Sequence, residues 1–441
     1  MPDRPLILFA DPIPVDKARR YGGASDFYRP PYHRQVERLS SKFGALQRAL
    51  ERGRVLISEN PTGIEPEYTL VLEVAGEPSG FEIAVRNLDK ETEGVEWLFE
   101  VVDDNIPNND DFYRVKNNER DDSKTMSFKY FCVLTNQRAL EEILSLWNSY
   151  QGNENCSFPR GKAGLRNVFK TLSDIHIWGV KERLEETDIL EAWKEDLSDP
   201  DATDVKCEIE LFFRRSADVR TQSQRIIEEY ISSIGGRIIA TSCVEEICYH
   251  ALLASIPRQY AEIIVRRDGI ELVSLEQIMF FKPTGQSIVK GSSAGFELQE
   301  NLAKEQVLID EPIIALFDGL PQERHPLLNG VLSIDDPDDY TSSYQIADRQ
   351  HGTSMASLIA RGDLSDEETS LISHKIYVRP IMKPYPSSQD INIEYIPDDI
   401  LIVDKVHEAI RRLFEQIAGR VAPTVKVINL SIGIGARTYY I

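Results

Sequence analysis

The chain is expected to be α/β, in three successive parts, and three features of the sequence point that way. Residues 1–200 mix β-rich runs with amphipathic helices, an N-terminal α+β region. Residues 205–283 string their elements in the order β-α-β-β-α-β, the split β-α-β pattern. From Pro312 onward continuous apolar runs alternate with helices, as in a parallel sheet covered on both faces. A linker at 284–311 separates this last part, residues 312–441, from the module before it.

In the first part Leu6–Ala10 reads as a strand and Tyr32–Arg52 as a polar amphipathic helix. Tyr68–Val74 and Val95–Val102 are β-rich. Asp103–Lys124, rich in Asn and Asp, is expected to be a long solvated loop. Phe128–Leu134 is a further strand, and Arg138–Tyr150 a helix with Leu140, Ile143, Leu144 and Trp147 on one face. No catalytic spacing stands out here, and the role of this part stays open.

An acidic stretch, Asp196–Asp204, leads into the second part. Cys207–Arg214 reads as a strand, Ala217–Ile234 as a helix stopped by Gly235-Gly236, and Arg237–Thr241 and Tyr249–Ala254 as strands. A helix at Arg258–Arg266 and a strand at Ile270–Leu275 complete an order that is ferredoxin-like. Thr284–Ala294 then has the Gly and Ser content of a linker.

In the third part Pro312–Phe317 is an apolar run typical of a buried parallel strand. Thr353–Arg361 is a helix and His374–Val378 a strand. Asp399–Ala418 is a helix with Val403, Val406, Ile410, Leu413, Phe414 and Ile417 on one face, ended by Gly419. Thr424–Ile432 reads as an interior apolar strand. Such sheets carry their chemistry at the carboxyl ends of the strands.

Composition narrows the function. Fifty Lys and Arg against 72 Asp and Glu leave a net charge of −22, which repels phosphate backbones and anionic surfaces. Neither nucleic acid nor a membrane is an expected partner. No apolar stretch reaches the ~18 residues of a spanning helix, and the apolar patch Pro5–Ala10 is too short for a secretory signal. Five cysteines without a CxxC pair suit a reducing compartment. The expectation is a cytoplasmic protein with no metal or cofactor.

Three segments carry candidate chemistry. Asp318-Gly319 directly follows the apolar run, where alone it would be a strand-ending turn. His351, thirty-three residues after Asp318, lies in Arg349-Gln350-His351-Gly352-Thr353-Ser354-Met355-Ala356, which opens a helix. Gly352, Ala356 and Ala360 recur every four residues, a small stripe that lets a helix press on a sheet and fix the imidazole. The third segment, Val427–Gly433, is an apolar strand ending in small residues.

Together these segments resemble the aspartate and histidine boxes of the subtilisin-like serine proteases, the S8 family. Ala315–Gly319 with His325-Pro326 is similar to the aspartate segment and the His-Pro that trails it, and His351-Gly352-Thr353 to the histidine box. Val427–Gly433 is similar to the strand bordering the specificity pocket, and the chain order Asp then His is the subtilisin one. The resemblance covers residues 312–441. It implies a serine endopeptidase that cuts protein or peptide substrates through an Asp-His-Ser triad, with Asp318 and His351 in the first two roles. Ser431 and Gly433 would line the substrate. The ferredoxin-like module then looks like the pro-region of such enzymes, with a generic structural or interaction domain as the other reading, and the long N-terminal part suggests regulation through a partner protein.

Two departures matter. Ser354 stands where the family often has a second histidine. No serine box and no oxyanion-hole Asn follow Gly433, so the chain is expected to hold half of a peptidase domain and to be inactive alone. Gly352-Thr353-Ser354-Met355-Ala356 is also similar to the family's serine box, but Ser354, three residues after His351, is badly placed to face it across a cleft. A non-catalytic pseudo-protease or interaction scaffold is the alternative function. A metal-dependent hydrolase using Asp318, His325 and His351 is a third. The acidic run Asp335–Asp339 lacks the spacing of a Ca²⁺ loop and is expected to be solvated. His250 has no ligand partner at metal spacing and is expected to be packed or at the surface.

Overall fold

The computed structural model describes residues 27–59, 67–76, 78, 80–92, 94–268, 271–284, 289–290, 307–362, 371–385, 393–415 and 421–430. The protein is α/β, and its chain divides after Trp178 into two compact units. The expected strand Leu6–Ala10, most of the 284–311 linker, Ser431 and Gly433 lie outside the described residues. Among the described residues no helix is long and apolar enough to cross a membrane.

The first unit is built on an antiparallel sheet ordered Val95–Ile106, Met126–Asn136, Glu67–Ala75, Leu172–Ile177. Helices Tyr32–Glu59, Phe81–Thr92, Gln137–Gly152 and Ala163–Thr171 close over it. Their apolar sides bury Phe43, Leu88, Trp147 and Phe169 in one core with Leu70, Leu72 and Phe131 of the sheet. The ring of Phe43 stacks on Trp147 at 4.1 Å.

The solvated loop expected at Asp103–Lys124 is a correction. The strand continues to Ile106, and Tyr113–Lys116 and Glu119–Arg120 form a hairpin onto which Phe27–Tyr28 adds. The Asn and Asp residues that read as loop build its turns. Asn117 and Asn118 take φ of 53° and 67°, the left-handed pair a tight two-residue hairpin turn needs. Asn109 Oδ1 accepts from the amide of Phe112, whose ring is fully buried.

In the second unit the strands Asp204–Leu211, Arg237–Val244, Tyr249–Pro257 and Ile278–Lys282 form an antiparallel sheet in the order fourth, first, third, second. Helices Ala217–Ser233 and Arg258–Val265 share its core, as do Leu184, Ile189 and Trp193 of the short helices Val180–Glu185 and Ile189–Asp196. The strand expected at Ile270–Leu275 is a second correction. Glu271–Ser274 is a 3₁₀ turn, and the fourth strand begins at Ile278. Leu272 and Val273 are adjacent yet both enter one core, which the alternation of a strand forbids.

The other sheet is parallel, ordered Leu332–Ile334, His374–Pro380, Ile309–Asp318, Val427–Leu430. The Gln350–Arg361 helix covers one face, with Ala356 and Ala360 against Leu316, Ile376 and Val378. The Ile402–Phe414 helix covers the other, with Ala409 and Leu413 against Phe317 and Tyr377. Among the described residues Val427–Leu430 is the margin of this sheet, and Val427, Ile428 and Leu430 are exposed.

The antiparallel sheet meets the start of the Ile402–Phe414 helix, where Val244, Tyr249, Ala251 and Leu253 enclose Leu401. Ser242 Oγ donates to Asp404 Oδ1 at 2.7 Å, and Lys206 pairs with Asp398 at 2.8 Å. Beyond the fourth strand, Val289–Lys290 pairs antiparallel with Ile393–Tyr395, which also pairs with Lys383–Pro384.

The acidic run Asp335–Asp339 is a third correction, because the carboxylates of Asp335 and Asp338 are paired and not merely solvated. Asp335 accepts from Arg412 Nε and Nη2 at 2.6 and 2.8 Å and from the Tyr377 hydroxyl at 2.6 Å. Asp338 bridges Arg379 and Lys405, each at 2.6 Å. The cations come from a strand and helix dozens of residues downstream, so no local pattern announces them. Asp338→Ala would leave Arg379 and Lys405, whose side chains are 3% and 8% exposed, without this carboxylate. A loss of about 3 kcal/mol is expected, read by chemical denaturation, because removing one partner strands buried charge.

Candidate active site

Asp318 closes the strand Ile309–Asp318, level with Pro380 on the neighbouring strand. Its carbonyl accepts from the Ile381 amide at 2.8 Å, and its side chain has no exposed surface. Oδ1 accepts from the Gly319 amide at 2.5 Å and from His351 Nδ1 at 2.7 Å. A carboxylate so deeply buried needs such donors.

The three residues of His351-Gly352-Thr353 each touch the loop that follows Asp318. His351 reaches the carboxylate. A Cβ on Gly352 would lie 2.5 Å from the Gly319 carbonyl oxygen, so the close approach of helix and loop requires glycine. Thr353 Oγ1 accepts from the Gln322 amide at 2.8 Å and donates back to the Arg349 carbonyl. The buried face of this helix is Gly352, Ala356 and Ala360, the stripe read from the sequence. The imidazole is thus held in the first turn of a helix packed tightly on the sheet, with 18% of its side chain exposed.

Glu394 joins the pair. It lies on the strand Ile393–Tyr395, is 1% exposed, and accepts from the Tyr344 hydroxyl at 2.6 Å when ionised. Donor atoms of Asp318, His351 and Glu394 lie within 4.8 Å of one another. Gly319 makes room for it, since a Cβ there would stand 1.7 Å from Glu394 Oε1. Sequence reasoning missed this residue, and no local signal offers it. In Ile391-Asn392-Ile393-Glu394-Tyr395 the glutamate occupies the polar side of an alternating run, which ordinarily faces water.

The electrostatics follow from this packing. The hydrogen bond to Asp318 raises the His351 pKa, outweighing burial, and the charges of Asp318 and Glu394 add to the rise. Burial, reinforced by the negative charge of Asp318, pushes Glu394 up to about 7 against the lowering effect of Tyr344 and His351.

The remaining candidates lie apart from this cluster. His325 Nδ1 accepts from the Leu327 amide at 3.3 Å, and Glu394, not His325, completes the donor group around Asp318 and His351. Ser354 Oγ donates to the Gln350 carbonyl at 2.9 Å, along its own helix. His250 is buried with Nε2 3.1 Å from Gln224 Oε1. Among the described residues no hydroxyl is hydrogen-bonded to His351.

A metal fits this group poorly. A tetrahedral Zn²⁺ ligated by both Nδ1 of His351 and Oδ1 of Asp318 would spread them to about 3.3 Å, whereas they sit at hydrogen-bond distance, 2.7 Å. In the first unit Glu73, Asp174 and His176 also cluster, but the Lys42 ammonium lies 2.9 Å from Asp174 and supplies the positive charge there.

What the pair can do chemically is limited and specific. A carboxylate on Nδ1 fixes the tautomer that leaves Nε2 as the proton-accepting nitrogen, and stabilises the imidazolium once Nε2 is protonated. No family model matches the chain, and no curated protein matches it.

Gly319→Ala is expected to lower stability by about 2 kcal/mol or more through overpacking against Glu394 and Tyr344, measured by thermal or urea unfolding. Ser354→Ala, at an exposed helix position, is expected to stay within about 0.5 kcal/mol of the parent and to leave the His351 titration unchanged.

Proposed function

We propose that the second unit carries the Asp-His part of a subtilisin-like serine endopeptidase site, with Asp318 orienting His351 and His351 moving the proton. The single observation that carries this reading is the 2.7 Å bond from His351 Nδ1 to a carboxylate with no exposed surface, at the carboxyl end of a parallel strand. It agrees with the motif order read from the sequence, and a hydrogen bond to a buried carboxylate loses little of its strength to water. In this mechanism a hydroxyl gives its proton to Nε2 as it attacks a peptide carbonyl. The imidazolium, held by Asp318, then returns that proton to the leaving amine. The nucleophile is left unassigned. Ser431 and Gly433 keep their proposed substrate-lining role on the resemblance alone.

We also propose that the β-α-β-β-α-β module acts as a pro-region toward this site. Two observations support it: the module's sheet encloses Leu401 at the start of the Ile402–Phe414 helix, and Val289–Lys290 adds a strand to the one that carries Glu394. A segment lying there as a strand would compete with an extended peptide. A cytoplasmic setting, peptide or protein substrates, a regulatory partner protein and the absence of a cofactor belong to the same proposal.

The test is covalent labelling by a fluorophosphonate probe of the protein isolated from its native cells, with the labelled residue mapped by mass spectrometry. Labelling at a serine that disappears in His351→Ala and Asp318→Asn is expected. Labelling at Ser354 would move the nucleophile into the histidine helix. Absence of His351-dependent labelling would overturn the protease reading in favour of a binding protein.

A further inference from the structure

The partners of Glu394 constrain where its proton sits. Tyr344 Oη lies 2.6 Å from Glu394 Oε1 and 3.0 Å from the Met382 carbonyl oxygen. A phenol carries one proton, and a carbonyl can only accept. If Tyr344 donates to Met382, the 2.6 Å contact must take its proton from Glu394. The carboxyl group is then a neutral acid donating to Tyr344 Oη, which suits a side chain 1% exposed.

The groups that face it come from every element around it. Asp318 projects from the end of its strand and His351 from its helix. Tyr344 follows the Tyr340–Ser343 turn, and Asp348 lies in the Ile346–Asp348 turn. On one side the Lys383–Pro384 strand pairs with it, the Lys383 ammonium lying 4.6 Å over the Tyr340 ring. On the other, Val289 is its backbone partner. Asp318 and Asp348 oppose a charge on Glu394, and a protonated His351 favours one.

We propose that Glu394 is a positioning residue that stores a proton beside the Asp318–His351 pair. Neutral, it leaves Asp318 as the one anion in contact with the imidazole. Ionised, it adds a second anion, and His351 then holds its own proton more tightly. Moving the proton breaks the O–H bond of Glu394 and forms an N–H bond on His351, with Asp318 ionised throughout and the net charge of the three groups unchanged. Their titrations are therefore coupled, and the apparent values belong to the group. Since Glu394 is pushed up to about 7, the exchange falls in the range where histidine itself titrates. The inference concerns the pair itself and goes beyond the protease reading.

The test is NMR on the full chain labelled with ¹³C in histidine and glutamate, following His351 Cε1 and Glu394 Cδ from about pH 5 to 9. His351→Gln and Glu394→Gln assign the signals. Glu394 is expected to titrate near neutrality, and His351 to respond in two steps. In Glu394→Gln the second step disappears and the His351 midpoint falls, because one of the negative charges that raise it is removed. Glu394→Asp retains two steps. The His374 and His407 signals report whether each variant keeps its fold.

Stability gives a second readout with a defined sign. Glu394 is raised from 4.5 in the free side chain to about 7 when folded. Its contribution is complete below about pH 4.5 and is lost as pH rises through about 7. The urea midpoint of the parent is expected to fall across that window, and Glu394→Gln to flatten the fall. A side chain with a merely structural role would shift the midpoint equally at all pH values. A Glu394 carbon that titrates in the ordinary carboxylate range overturns the inference, as does an unchanged His351 midpoint in a folded Glu394→Gln. If that variant does not fold, the wild-type carbon titration decides alone. Neither measurement depends on hydrolysis, so the protease reading and this inference fail separately.

Discussion

Asp318 holds a carboxylate with no exposed surface at the end of a strand whose preceding residues, Ala315, Leu316 and Phe317, are also fully buried. A charge in that position is stable when donors surround it and costly when they do not. The Gly319 amide and the His351 ring meet this demand, and much of the local architecture serves to bring them there. Gly352 lets the helix approach the loop within van der Waals limits, Thr353 ties the helix to Gln322, and the alanine stripe seats the helix on the sheet. Tight packing around one buried carboxylate thus fixes an imidazole that the chain places 33 residues away.

The same constraint explains Glu394. A second carboxylate beside the first is unfavourable while both are ionised. The structure accommodates it through a phenol, a missing Cβ at Gly319, and a pKa displaced toward neutrality. The proton balance of the cluster is consequently shared by three side chains. The strand bearing Glu394 also carries the segment that follows the β-α-β-β-α-β module, so the module and the site meet through one short strand as well as through the Leu401 contact.

On the opposite face of the parallel sheet, Asp335 and Asp338 bind Arg412, Arg379 and Lys405, linking the loop after Leu332–Ile334 to the Ile402–Phe414 helix. They also show why an acidic run is a poor guide to exposure: its environment is set by cations that arrive later in the chain.

By itself the sequence determined the features that depend on local periodicity. These are the buried parallel strand before Asp318, the small-residue stripe behind His351, the amphipathic helices read at Tyr32–Arg52 and Arg138–Tyr150, which lie within the observed Tyr32–Glu59 and Gln137–Gly152, and the order of elements after Asp204. Each is written as a spacing of apolar or small residues, and packing did not override it. The Asp318–His351 pair was legible through the resemblance, which set these two residues in the family's Asp and His roles; position at the ends of such elements did not by itself pair them. Tertiary structure alone decided the hairpin within Asp103–Lys124, the turn at Glu271–Ser274, the ion-paired acidic run and the place of Glu394. In all four, the deciding partner is a backbone donor, a core wall or a charge brought up by folding. A glutamate on the polar side of a short alternating strand carries no mark of burial until a glycine, a tyrosine and an aspartate distant in sequence close around it.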